Sequence, residues 1–265
     1  MTQRIKVYPV RKWRSRLGPR LCPYDNRLLL GRWFFYERFQ RALDRCNDSP
    51  HSRVLDFGCW EGHFLPSLLA NYSQVWGVDN DRASAVETVP GTWTILQSAR
   101  SLCLEETQCI SHLRLVKADG RSLPIRGSFF DIIFCLDTLP YVRKDSRTKV
   151  LLELRRVLKP SGTIIISLPI EMGASLVLRE LLRKLSGSYR QNYNTSALLH
   201  GLLSSPRQQP DENETASLVG YDYRADIEVI ESQFIIRRKE FLPWKWLKWL
   251  SPTILLVCET KPGNA

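Results

Sequence analysis

Four carboxylates stand where they could hold a ligand: Asp56, Asp79, Asp119 and Asp137, each at or near the end of an apolar run. The first lies in Arg53-Val-Leu-Asp-Phe-Gly-Cys-Trp-Glu-Gly62, and Val-Trp-Gly-Val-Asp79 follows at one strand-plus-helix distance. Val54 and Leu55 read as the end of a buried parallel strand, Asp56 and Gly58 as the turn after it, and Gly62 as the opening of a helix. Residues 75–78 read as the next strand, ending on Asp79. An acid at the tip of a second strand, beside a glycine turn on the first, holds a ribose through its two hydroxyls in a doubly wound sheet. A nucleoside pocket is therefore expected.

The glycine spacing narrows the nucleoside. A dinucleotide fold needs G-x-G-x-x-G so that backbone can approach a pyrophosphate at a helix N-terminus. Here Gly58 and Gly62 are separated by Cys-Trp-Glu, and Asp56 precedes them. That carboxylate would repel a phosphate. It suits a ligand carrying positive charge, such as the ammonium and sulfonium of S-adenosylmethionine (SAM).

Further along, Val116-Lys-Ala-Asp119-Gly-Arg-Ser-Leu-Pro124, Ser128-Phe-Phe-Asp131-Ile-Ile-Phe-Cys-Leu-Asp137-Thr-Leu and Glu153-Leu-Arg-Arg-Val-Leu-Lys-Pro-Ser-Gly162-Thr-Ile-Ile-Ile-Ser-Leu-Pro169 follow in order. With these motifs in register, the chain resembles the class I SAM-dependent methyltransferases over roughly residues 50–170. The branch it resembles is the broad one typified by quinone-biosynthesis enzymes, the type 11 methyltransferase domain, whose members modify many small molecules and lipids. The resemblance implies that Asp56, Gly58 and Gly62 line the methionine end of SAM, with Trp60 in the same turn. It implies that Asp79, with Asn80 beside it, takes the ribose hydroxyls. Asp119 would take the adenine amino group, with Gly120 beside it, and Leu136 would lie under the adenosine or sulfonium. Each carboxylate could instead cap the next helix.

Two departures bear on function. Relatives carry Gly where this chain has Trp60, and a bulky residue tolerates positive φ poorly; either the turn is reshaped or Trp60 covers the cofactor. The His that many relatives carry after the fourth strand is absent from Leu136-Asp-Thr-Leu-Pro-Tyr141. Asp137 is then the candidate general base, with Tyr141 and Tyr24 as candidate substrate contacts. His51, His63, His112 and His200 show no metal-ligand spacing, so no metal is expected.

The elements that must position these residues form one α/β domain. The expected fold is a Rossmann-like, seven-stranded doubly wound sheet, mostly parallel with a C-terminal antiparallel hairpin, and with helices on both faces. Residues 1–22 read as a basic arm and 23–265 as a single domain. Within it lie a SAM-binding core at about 50–170, a substrate-recognition insertion at about 171–220, and a closing helix and hairpin at about 221–260. Leading to the core, Leu28, Phe35, Phe39 and Leu43 have helical spacing. Helices are also expected at 92–108, 146–158, 176–185 and 224–231, a polar loop at 204–215, and strands at 163–167, 234–240 and 253–259. A chain of 265 residues with 43% hydrophobic content suffices for one such domain.

Seven scattered cysteines without a C-x-x-C pair point to a reducing, cytoplasmic setting. Cys59 and Cys135 read as small packing residues beside the pocket. The net charge of +11 resides in the two ends of the chain. Residues 1–24 hold Arg4, Lys6, Arg11, Lys12, Arg14, Arg16 and Arg20 without an acid, and residues 237–248 hold five basic residues against Glu240. Such ends suit an anionic membrane surface or RNA. After Pro243, Trp244, Trp246, Leu247 and Leu250 would oppose Lys245 and Lys248 on a helix, the composition of an interfacial anchor; they equally suit a roof over the domain or a dimer contact. The expected partners are thus a small-molecule or lipid-like acceptor and an anionic membrane surface met by residues 1–22 and 237–250. RNA is the weaker alternative, because the Asn/Asp-Pro-Pro-aromatic motif and the Pro-Cys nucleophile of nucleic-acid methyltransferases are missing. A methyltransferase fold that binds SAM or a partner without turnover is the remaining reading, motivated by Trp60 and the missing His.

Overall fold

In a computed structural model of the chain, the residues described are 7, 29–46, 49–80, 95–107, 110–185, 218 and 221–261. Seven strands form one sheet: β1 (Arg53–Phe57), β2 (Gln74–Asp79), β3 (Leu113–Lys117), β4 (Phe130–Leu136), β5 (Leu158–Pro169), β6 (Phe234–Leu242) and β7 (Thr253–Thr260). Their order is β3-β2-β1-β4-β5-β7-β6. The first five pair in parallel, and β7 runs antiparallel between β5 and β6. Described helices are α1 (Leu29–Asp44), α2 (Leu65–Leu69), α3 (Ile95–Thr107), α4 (Lys144–Val157), α5 (Gly173–Leu185) and α6 (Tyr223–Gln233).

Alternation along the central strands divides the core in two. On one face Leu55, Phe57, Ile133, Ile164 and Ile166 pack with Val150, Leu151 and Leu154 of α4 and Ile230 of α6. On the other, Val54, Ile132, Phe134 and Ile165 pack with Phe39, Ala42 and Leu43 of α1, Leu65 and Leu68 of α2, and Ala99 and Cys103 of α3. Central strands covered on both faces read as near-continuous apolar runs, which is why Phe-Asp-Ile-Ile-Phe-Cys-Leu and Thr-Ile-Ile-Ile stand out in the sequence.

Several expectations are corrected. Asp56 lies within β1, which continues to Phe57, because Asp56 still pairs with Gly77 and Phe134 on its two neighbours. Gly62 does not open a helix: the turn runs on to Phe64, and α2 starts at Leu65 with Pro66 in its first turn. Pro160 and Gly162 do not precede β5 but lie within it, where the register against β4 jumps from Phe130↔Leu158 to Ile132↔Thr163. Gly162 is needed there, since a Cβ would stand 2.9 Å from the Asp131 carbonyl oxygen. The segment after Pro243 is not a helix but a series of bends and turns. Its span between two paired strands is ten residues, and the Ser251 hydroxyl reaches the Trp244 and Leu247 carbonyls, with a single turn closed at Leu247.

The basic arm apart from Val7, Tyr24, Leu28, the 204–215 loop and most of the 171–220 insertion lie outside the described residues.

Candidate active site

The carboxyl ends of four adjacent strands, in the order β3-β2-β1-β4, carry Asp119, Asp79, Asp56 and Asp137. Asp56 is buried in β1. The chain then turns at Gly58, whose φ of 73° is open to glycine and whose N–H donates to the Val78 carbonyl at 2.8 Å. Cys59 donates to the same oxygen at 3.1 Å. These bonds fold the β1 turn over the tip of β2.

Trp60 resolves one question posed by the sequence. It takes φ 48°, the left-handed conformation a glycine would adopt, and its N–H donates to an Asp79 carboxylate oxygen at 3.0 Å. The turn is therefore preserved rather than reshaped. A left-handed non-glycine residue costs roughly 1–2 kcal/mol, and a charge-assisted bond to the Asp79 carboxylate offsets an energy of that order.

Three glycines are explained by packing within the protein. A Cβ on Gly58 would lie 2.1 Å from Thr138 Cγ2, and Thr138 bonds back to the Phe57 carbonyl at 3.0 Å. A Cβ on Gly120 would lie 2.5 Å from Phe57 Cζ. Gly62 approaches α3, where a Cβ would meet Ala99 Cβ at 2.8 Å.

The Asp119 carboxylate already has partners within its own turn. It receives the Arg121 backbone N–H at 2.9 Å and the Arg121 guanidinium at 2.6 Å. No helix follows β3, so it is not a helix cap. Its level is set by β2, because the Ala118 N–H donates to the Asp79 carbonyl at 3.0 Å.

Asp137 sits just past β4 at φ 54°. Its N–H donates to Ser167 Oγ at 2.9 Å, and the Ser167 hydroxyl donates to its Oδ1 at 2.6 Å. Its Oδ2 is ion-paired with Arg38 of α1. Leu136 is half-buried, Asn80 is exposed at the tip of β2, and Tyr141 is exposed in the short turn Leu139–Tyr141.

Arg38, Ser167 and Thr138 were not singled out from the sequence. Arg38 had a signal: it lies on the same helical face as Phe35 and Ala42, where an unpaired charge would be costly. Ser167 gave none, since one hydroxyl inside Ile-Ile-Ile-Ser-Leu-Pro has no local pattern.

Burial, reinforced by the neighbouring Asp79 carboxylate, pushes Asp56 up to about 7, against the opposing pull of Arg38. Burial likewise pushes the Cys103 and Cys135 thiols up to about 12 and Cys59 well above its ordinary value. These are packing thiols, not nucleophiles. Burial takes His63 down to about 4, so its imidazole is neutral at physiological pH. No cluster of three or more His, Cys, Asp and Glu suited to a metal occurs among the described residues.

The comparisons agree with this geometry. Residues 55–166 match the family model described as a methyltransferase domain. The PH0226 protein of Pyrococcus horikoshii OT3 superposes with a TM-score of 0.59 at 19% identity, over 91% of this chain and 97% of that one. A SAM-dependent methyltransferase of Clostridium acetobutylicum gives 0.57 at 16% identity, over 86% and 91%. The N-methyltransferase NodS of Bradyrhizobium japonicum, in complex with S-adenosyl-L-homocysteine (SAH), gives 0.53 at 13% identity, over 90% of each chain. At these identities the structural likeness establishes the fold. No match is found among curated proteins. Residues 55–166 thus match a methyltransferase domain, and the chain shares its fold with SAM-dependent methyltransferases, one of them solved with SAH.

The residues present fit such a cofactor by the chemistry of the donor set. A ribose offers hydroxyl donors and the methionine end an ammonium, and the strand tips offer carboxylates, with Asp79 close enough to raise the proton affinity of Asp56.

Proposed function

We propose that the protein transfers a methyl group from SAM to a small or lipid-like acceptor, as a cytoplasmic protein that works at a membrane surface. The observation that carries this reading is the row of carboxylates on the adjacent ends of β2, β1 and β4, locked by Trp60, Thr138, Ser167 and Arg38. Asp79 and Asn80 would hold the ribose hydroxyls. Asp56, Gly58, Trp60 and Gly62 would surround the methionine end, with Leu136 beneath it. Asp119 and Gly120 would stand at the adenine, where the amino group and Arg121 are both donors to the same carboxylate.

When bound, SAM supplies an electrophilic methyl carbon on a sulfonium, so the protein's task is alignment and the exclusion of water. Asp137 was the candidate base, and its setting favours a different part. Both oxygens already accept, one from Ser167 and one from Arg38, which makes the group a fixed anion that shapes the pocket. The acceptor nucleophile then loses its proton to solvent or arrives without one. Tyr141, exposed at the same edge, is the residue we assign to acceptor contact; Tyr24, the other candidate contact, lies outside the described residues.

Calorimetric titration of SAM and SAH into the protein, with Asp79→Ala alongside, tests the reading. Micromolar binding lost on substitution is expected. Absence of binding at millimolar ligand would overturn it and leave a methyltransferase fold without turnover.

A further inference from the structure

The chain leaves the sheet at Leu242 and re-enters at Thr253, and between them it displays the most exposed aromatic side chains among the described residues. Trp246 is 95% exposed, Trp249 65% and Leu247 40%. A buried indole removes 150–250 Å² from water, so side chains of this size left outside mark a contact surface.

The loop is built rather than slack. Ser251 is fully buried, and its hydroxyl reaches the Trp244 carbonyl at 2.9 Å and the Leu247 carbonyl at 3.1 Å. The Leu250 and Ser251 N–H groups donate to the Leu247 carbonyl at 3.0 and 3.1 Å.

Its charge is distinct from that of the strand before it. Arg237, Arg238 and Lys239 are paired with Glu259, Glu240 and Glu231. Lys245 and Lys248 are exposed and form no ion pair with a described residue, and no acid occurs from Phe241 to Cys258. Surplus positive charge thus coincides with the tryptophans.

Its position is equally specific. Thr253 pairs with Pro169 at the carboxyl end of β5, and the Ile170 N–H donates to the Pro252 carbonyl at 2.8 Å. Two residues before Pro169, Ser167 holds Asp137. The loop therefore stands on the sheet edge that carries the carboxylates.

We propose that residues 243–250 dock this edge onto an anionic lipid surface. Trp246 and Trp249 enter the headgroup region with Leu247, and Lys245 and Lys248 meet lipid phosphates, an arrangement favoured by the amphipathic indole and the flexible ammonium stem. Docking stands on the loop itself; its purpose, delivery of a lipid-embedded acceptor to the site, rests on the methyl-transfer reading above.

The test is co-sedimentation of the full chain with phosphatidylcholine vesicles, with and without phosphatidylserine, alongside SAM calorimetry on the same preparations. Wild type is expected to pellet with the anionic vesicles. Trp246→Ala/Trp249→Ala should weaken partitioning roughly tenfold or more. Lys245→Gln/Lys248→Gln should weaken it by roughly a factor of ten to thirty at low salt, and only on anionic vesicles. Retained SAM binding by the variants shows that they are folded. No wild-type binding, or binding unchanged by both variants, would overturn the proposal. So would wild-type self-association abolished by the tryptophan variant, which would make the face a dimer contact. Vesicle docking without SAM binding would leave the docking surface standing and overturn the methyl-transfer reading instead.

Discussion

Arg38 of α1 and Asp137 beyond β4, 99 residues apart in sequence, form an ion pair that fastens the leading helix to the edge of the sheet. Arg38 is buried and Asp137 is about three-quarters buried, so neither is free to rehydrate without moving the helix. Arg38 also lowers the proton affinity of Asp56, which places it between two carboxylates of the site.

Removing one partner of such a pair strands the other. Arg38→Met should cost roughly 2–4 kcal/mol in urea unfolding. Asp137→Asn, which still tolerates the left-handed backbone, should recover part of that loss in the double variant. Purely additive losses would show that the pair contributes no coupling.

Gly120 separates packing from ligand contact. Gly120→Ala should destabilise the fold by about 1–3 kcal/mol, because its methyl overlaps the Phe57 ring. In a Phe57→Leu background the same change should cost less than about 1 kcal/mol. An undiminished cost would place the constraint elsewhere.

Asp56 makes stability depend on pH and, on the proposed reading, should make cofactor affinity do so too. Its folded pKa, about 7, lies above the ordinary value of 3.8. The stability it contributes is therefore complete below about pH 4 and is lost as pH rises through about 7. Asp56→Asn should accordingly narrow the stability difference between pH 5 and pH 8, by an amount on the order of 3 kcal/mol. A cationic methionine end favours the ionised carboxylate, so SAM should bind more tightly at pH 8 than at pH 6. Calorimetry in buffers of differing ionisation enthalpy should show proton release near neutrality; no release would mean that Asp56 does not meet the cation.

A second buried network ties the closing helix to the region after β4. Arg147 of α4 pairs with Asp226 of α6 at 2.5 Å and donates to the Val142 carbonyl at 2.9 Å, while the Tyr221 hydroxyl donates to Asp226. Tyr221→Phe should cost about 1–2 kcal/mol. Asp226→Ala should cost about 3–5 kcal/mol, since it leaves a buried guanidinium without its counter-charge. Equal effects of the two would argue that the network is not organised around the ion pair.

The central strands and the sheet class were legible because fully covered parallel strands are written as unbroken apolar runs, and the hairpin because 234–240 and 253–259 lie close in sequence. The placement of Asp79 beside the Gly58 turn was legible for the same reason. What escaped depends on which partner a side chain finds, near or far. Arg121 beside Asp119 is two residues away, yet nothing in the spacing distinguishes a carboxylate held by its own turn from one awaiting a ligand. The helix expected at 244–250 followed a real amphipathic spacing, but the link between antiparallel neighbours closes as bends and one turn around the buried Ser251. Trp60 at positive φ depends on Asp79 accepting its N–H, a contact between the turn after β1 and the tip of β2.

The position of β7 between β5 and β6 also decides when the molecule can be completed. As the polypeptide emerges from a ribosome, β1 to β5 are available first, and the fully apolar Ile164, Ile165 and Ile166 form an open edge. β6 appears next but has no place in the sheet until β7 has been inserted beside β5. A nascent chain stopped before residue 253 therefore presents an adhesive strand to its neighbours, and chaperone demand during synthesis falls on that interval.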